Sequence, residues 1–129
     1  MLFRSLPSNQ AALALLTESI EAAGFQPGDQ VSIAIDVASS HFYRDGIYEL
    51  RSEGRSLDSA GMADLLAGWT RQFPLVSIED GLFEDDWSGW RGLTAQLSAS
   101  VQLLGDDFFT TNPSRLRRGI DEEIGRAHV

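Results

Sequence analysis

Three short apolar runs in this chain lead into carboxylates. Asp36 closes the run from Val31, Glu79 closes the run from Leu75, and Val101 through Asp106-Asp107 reads as a third strand with an acidic end. Carboxylates are hard oxygen donors, and several gathered at one point repel one another until protons or a cation neutralise them. A hard divalent ion is the economical partner, and magnesium keeps positions free for water or substrate. The competing reading is that each acid caps the helix that follows it, a common use of Asp. One strand-end acid reads best as a cap. Three in succession, each after a buried run, point towards a shared ion.

The acids can meet only if the runs are neighbouring parallel strands. In parallel α/β folds the carboxyl ends of the strands line one face, where ligands bind, and adjacent strands lie about 4.8 Å apart. Residues 8 to 23 have helical spacing, with Leu13, Leu16, Ile20 and Ala23 on one face and Ser8 or Asn9 able to cap. Gly24 and the Pro27-Gly28 pair then end the segment. Residues 42 to 52 read as a hairpin turning at Asp45-Gly46, a strong tight-turn pair. Ser56-Leu57-Asp58 opens a second predicted helix, with Met62, Leu65, Leu66 and Trp69 on its apolar side, and Pro74 stops it. A third helix is predicted over 85 to 98, and a fourth begins at Asn112-Pro113. The expectation is an α/β fold of about three consecutive βα units with an inserted β-hairpin. Three units cannot close a barrel of eight strands, so the chain is either a small open sheet or a slice of a partial TIM-type barrel.

Composition bounds the chemistry further. The 129 residues carry a formal net charge of −9, which repels nucleic-acid phosphates and anionic lipid. No apolar run approaches the roughly 20 residues of a membrane span, and no apolar stretch behind Arg4 marks a signal peptide. Cysteine is absent, which leans towards the cytoplasm. All ten basic residues are arginine. A lysine base, a Schiff-base lysine or a phosphate-loop lysine is therefore not encoded in this chain.

Longer words surround each acid. Ile35-Asp36-Val37-Ala38-Ser39-Ser40 is followed by Phe42-Tyr43-Arg44-Asp45-Gly46; Ser77-Ile78-Glu79-Asp80-Gly81 continues through Glu84, Trp87 and Trp90; Leu104-Gly105-Asp106-Asp107 leads to Thr111-Asn112 and Arg115 through Ile120. In order and spacing these words resemble the enolase family over roughly residues 6 to 123. The resemblance implies that Asp36, Glu79 and Asp106 are magnesium ligands and that Glu79 and Asp106 also line the substrate pocket. It gives Asp107 the part of an acid that orients a catalytic lysine, with capping of the next helix as the alternative. Ser39 and Ser40 fall in the loop beside the metal. Trp87 and Trp90 read as core, the acids 84 to 86 as a solvated helix start, and His41, where the family usually has an acid, as a surface substitution.

The implied reaction is dehydration of 2-phosphoglycerate to phosphoenolpyruvate, with a lysine taking the proton and a glutamate assisting the leaving hydroxyl. In the family that glutamate lies in a glycine-rich segment upstream of the matching part, and the lysine on the strand just after it. This chain is accordingly expected to be inert alone. The implied parent is a cytoplasmic homodimer, sometimes found at the cell surface. Residues 1 to 5 and 124 to 129 do not fit the family and read as translated sequencing adapters, so the fold expectation sets them aside. A receiver-type phosphoacceptor domain shares the length and the strand-end acids. It would need a lysine near its last strand and an acid pair after its first, neither of which the chain supplies. A module binding a metal or partner without catalysis is the other reading.

Overall fold

The computed structural model describes residues 6–125. Helix α1 spans Asn9–Ala22, and its cap is Ser8, whose hydroxyl accepts the Ala11 N–H. Strand β1, Ile33–Asp36, is followed by a short 3-10 turn over Ser39–Phe42. Strands β2 (Tyr43–Arg44) and β3 (Ile47–Leu50) form the anticipated hairpin. Asp45 and Gly46 both take positive φ, 48° and 89°, as a two-residue turn between twisted strands requires.

The structure departs from the sequence reading after the hairpin. Gly54, at φ 60°, reverses the chain again, and Arg55–Leu57 returns as strand β4 against β3. The insertion is thus a three-stranded meander, and helix α2 runs over Ser59–Gln72 rather than from residue 56. The physical reason is the cap. Asp58 accepts the Gly61 N–H, which leaves Ser56 and Leu57 free to pair across to Glu49 and Tyr48.

Strand β5 (Leu75–Glu79), helix α3 (Trp87–Leu97), strand β6 (Gln102–Leu104) and helix α4 (Pro113–Asp121) complete the chain. Strands β1, β5 and β6 form one parallel sheet in the order β1-β5-β6. Alternation along these strands divides the sheet into two faces. Ile33, Ile78 and Leu103 are buried with Met62, Leu66, Trp90 and Leu93 from the helices. On the opposite face Ala34, Gln102 and Leu104 are exposed. A parallel sheet is normally covered on both faces. Among the described residues this one is an arc of barrel wall, with helices outside, a bare inner face and no closure.

Beyond the expected core end, Ile124 is buried and the Gly125 N–H donates to the Thr94 hydroxyl at 3.0 Å. Of the ends set aside in the sequence, residues 1–5 and 126–129 lie outside the described residues. No helix among the described residues is long and apolar enough to cross a membrane.

Candidate metal centre

Register places the first two acids side by side. Asp36, the last residue of β1, is the partner of Glu79, the last residue of β5, and Glu79 is in turn the partner of Leu104 in β6. Asp106 stands two residues past Leu104 along the same chain direction. All three therefore stand at the carboxyl end of the sheet. Asp36 and Glu79 share one group of oxygens with Asp80, and Asp106 falls in a second with Asp80 and Asp107, each spanning no more than 4.8 Å; among the described residues no such group holds all three expected ligands. Asp80 belongs to both.

The capping alternative is settled by which residues cap. The side chains at the starts of α2, α3 and α4 are Asp58, Asp86 and Asn112. Asp36 instead accepts the Ala38 N–H at 3.0 Å within its own loop. Asp107 does not cap α4; Asn112 does, taking the N–H groups of Ser114 and Arg115. The acids at 36, 79 and 106 are thus left without a helix to cap.

Electrostatics marks Glu79 as the crowded member. Partial burial raises its carboxyl above the ordinary glutamate range, and the charges of Asp36, Asp80, Asp106 and Asp107 push it further in the same direction. A carboxylate held up by burial and four neighbouring acids is one that a cation would relieve. The donor set consists of carboxylate oxygens alone, which suits a hard divalent ion and not a soft one. Asp36 and Asp106 are exposed and Glu79 is partly exposed, so an ion and its water could reach them.

The loops that carry these acids are fixed from behind. Phe108 is fully buried, with its ring centroid 4.5 Å from those of both Trp87 and Trp90. Both tryptophans are core, as their type implied. Arg115 lies over Trp87 and Phe108, donates to the Phe108 carbonyl at 2.6 Å, and reaches the Glu84 carbonyl and the Asp85 carboxylate. One guanidinium therefore ties the loop after β5 to the loop after β6. Of the acid run expected to be solvated, only Asp85 is exposed; Asp86 is occupied with its cap and with the hydroxyls of Tyr48 and Ser59. Ser40 accepts the Glu84 N–H, Ser39 is buried, and His41 is exposed.

Gly105, just before Asp106, admits no larger residue without movement. A Cβ there would meet the Phe109 ring at 2.9 Å and Phe108 Cβ at 3.0 Å.

Sequence reasoning passed over Asp80. It is 4 % exposed, and its backbone has a left-handed φ of 44°. A short acid between Glu79 and Gly81 is a fair candidate for such a conformation. Its hydrogen-bond partners lie 26 to 28 residues further on, where no local pattern reveals them.

A sequence model of one family, described as enolase, C-terminal TIM barrel domain, matches residues 3–129.

Proposed function

The chain belongs to the enolase family through its C-terminal TIM barrel domain, and on that premise we propose that it is part of a phosphopyruvate hydratase, which dehydrates 2-phosphoglycerate to phosphoenolpyruvate. The observation carrying this reading is the rim of acids at the carboxyl end of β1, β5 and β6. Glu79 is held above its ordinary range there by burial and by the acids around it. Asp36, Glu79 and Asp106 are the proposed magnesium ligands, and Glu79 and Asp106 also face the substrate. Magnesium bound there supplies the positive charge that an enzyme of this class needs beside a substrate carboxylate.

This chain's residues supply binding and orientation. Asp36 and Glu79 present their oxygens from adjacent strand ends, and Asp106 does so from a loop clamped by Phe108, Trp87 and Trp90. Asp107 would orient a lysine from the strand that follows in the whole enzyme. The chain contains no lysine, so it performs no proton transfer of that kind by itself. The whole enzyme is proposed to be a cytoplasmic homodimer.

Calorimetric titration with Mg2+ and Mn2+, run beside an assay of phosphoenolpyruvate formation, tests the proposal. The expected outcome is divalent-ion uptake that D36N, E79Q and D106N each weaken, with no product from the isolated chain. Failure to bind either ion would overturn the metal reading. Product formed by the isolated chain would overturn its assigned inertness.

A further inference from the structure

We propose that Asp80 is the positioning residue of this rim, an anchor that sets the distance between the end of β1, which bears Asp36, and the loop bearing Asp106 without ligating the ion itself. The inference rests on the metal reading above and assigns a part to a residue which that reading leaves without one.

Proximity alone would make Asp80 a ligand, since it is the one acid common to both oxygen groups. Most of its lone pairs are already committed. Oδ1 accepts the N–H of Asp106 at 3.0 Å and that of Phe108 at 3.4 Å, and Oδ2 accepts the N–H of Asp107 at 2.9 Å. A carboxylate offers about four lone-pair sites, and three are spent on consecutive amides. The side chain is buried, whereas Asp36 and Asp106 are exposed. Bonds from amides to a charged acceptor are among the stronger ones, and withdrawing the acceptor would leave three N–H groups unpaired at once.

The main chain of the same residue holds the other two neighbours. The Asp80 N–H donates to the Leu104 carbonyl at 3.0 Å, and its carbonyl accepts the Ser39 N–H at 3.2 Å. One residue thus touches the loops after β1, β5 and β6. The left-handed backbone at φ 44° is the conformation in which it makes all these bonds. Asp and Asn adopt it more readily than other side chains do.

The test is D80N, whose side chain tolerates the same backbone but offers one acceptor oxygen in place of two. Amide hydrogen exchange of the metal-free protein and Mn2+ affinity are both measured, beside D106N and, as a control, E18Q at an exposed acid of α1. Exchange at Asp106, Asp107 and Phe108 is expected to quicken about tenfold or more while α2 and α3 keep their protection. Mn2+ affinity should fall about 10- to 100-fold, the usual size of an effect transmitted through a ligand's support. D106N should weaken Mn2+ without changing exchange, and E18Q should do neither. D80N that weakens Mn2+ with exchange unchanged would make Asp80 a ligand and overturn the proposal; quickened exchange with unchanged Mn2+ affinity would overturn it as well. Should D80N not fold, scalar couplings across the hydrogen bonds from the amides of Asp106 and Asp107 to the Asp80 carboxylate decide the matter in the wild type. Couplings that persist on Mg2+ loading support the anchor, and couplings lost on loading overturn it. Wild-type protein that shows the couplings but takes up no Mn2+ would overturn the metal reading alone.

Discussion

Glu79 is where the charges of the rim converge, and its stability effect has a definite sign. Its carboxyl is raised in the fold by burial first and by its acidic neighbours second. A group whose folded pKa is raised contributes stability that is present below its unfolded value and lost as pH climbs through the folded value. Glu79's share of the metal-free protein's stability should therefore be lost as pH rises above about 4.5, and saturating Mg2+ should restore it. Thermal melts across that range with and without Mg2+ check this. E79Q should melt higher than wild type at neutral pH without metal, and it should gain less from Mg2+. Tyr48 acts in the same sense at the alkaline end. Burial, reinforced by the Asp86 carboxylate, pushes its hydroxyl up to about 12. The stability it contributes is whole below the ordinary tyrosine value of about 10 and is lost as pH rises through about 12. Y48F deprives the Phe83 N–H of its acceptor, a bond of 2.9 Å, and should cost about 1–3 kcal/mol near pH 7. Denaturant titrations should show that deficit narrowing at about pH 11, where only the wild type is penalised. At this scale the strand-end placement of Asp36 and Glu79 was legible, because each acid closes a short apolar run of strand length. Asp80 was not, because its role depends on amides in a different loop.

Helix starts carry a second signal, which the sequence holds in plain form. Asp58-Ser59-Ala60-Gly61 and Asp86-Trp87-Ser88-Gly89 share the spacing Asp-x-x-Gly, and in each the acid accepts the glycine N–H, at 2.8 and 2.9 Å. The absent side chain matters as much as the acid. A Cβ at residue 89 would press directly on the Asp86 carboxylate, and at residue 61 it would lie 3.2 Å from Asp58 Oδ1. G89A sets two effects against each other: a gain of about 1 kcal/mol in helix propensity and the loss of a cap of similar or larger size. Because Asp86 also holds Ser59 and Tyr48, the loss should prevail. G89A is expected to destabilise the wild type and to stabilise a D86A background, a reversal that a double-mutant cycle by urea denaturation would reveal. The sign staying the same in both backgrounds would refute the clash. The helices and the parallel strands were readable from period and turn residues. Strand β4 was not, because Arg55, Ser56 and Leu57 have no pattern of their own and take their form from Tyr48, Glu49 and Leu50 across the sheet.

At the scale of the whole molecule the decisive fact is what the sheet leaves uncovered. Among the described residues strands β1 and β6 each pair on one side only, which leaves two sheet edges without a partner strand. Val76 is 50 % exposed and Leu104 38 %. Three βα units against the eight strands of a barrel leave the inner face without its remaining wall, and the arc seen here has such a bare face. Its makeup is more mixed than an apolar wall, with Ala34, Ser77 and Gln102 in one row across the strands. Edge pairing, more than face-to-face collapse, should therefore govern what the isolated chain does. It is expected to self-associate as concentration rises, with sedimentation velocity reporting species larger than monomer. Q102K places a charge on edge strand β6 at an exposed side chain, where it opposes pairing while leaving the buried contacts of Leu103 intact. That substitution should shift the distribution towards monomer, with a change in unfolding free energy within about 0.5 kcal/mol. A wild-type monomer with a sharp cooperative melt at every concentration would mean that the helical layer alone satisfies the sheet, and edge exposure would then have no part in the chain's behaviour.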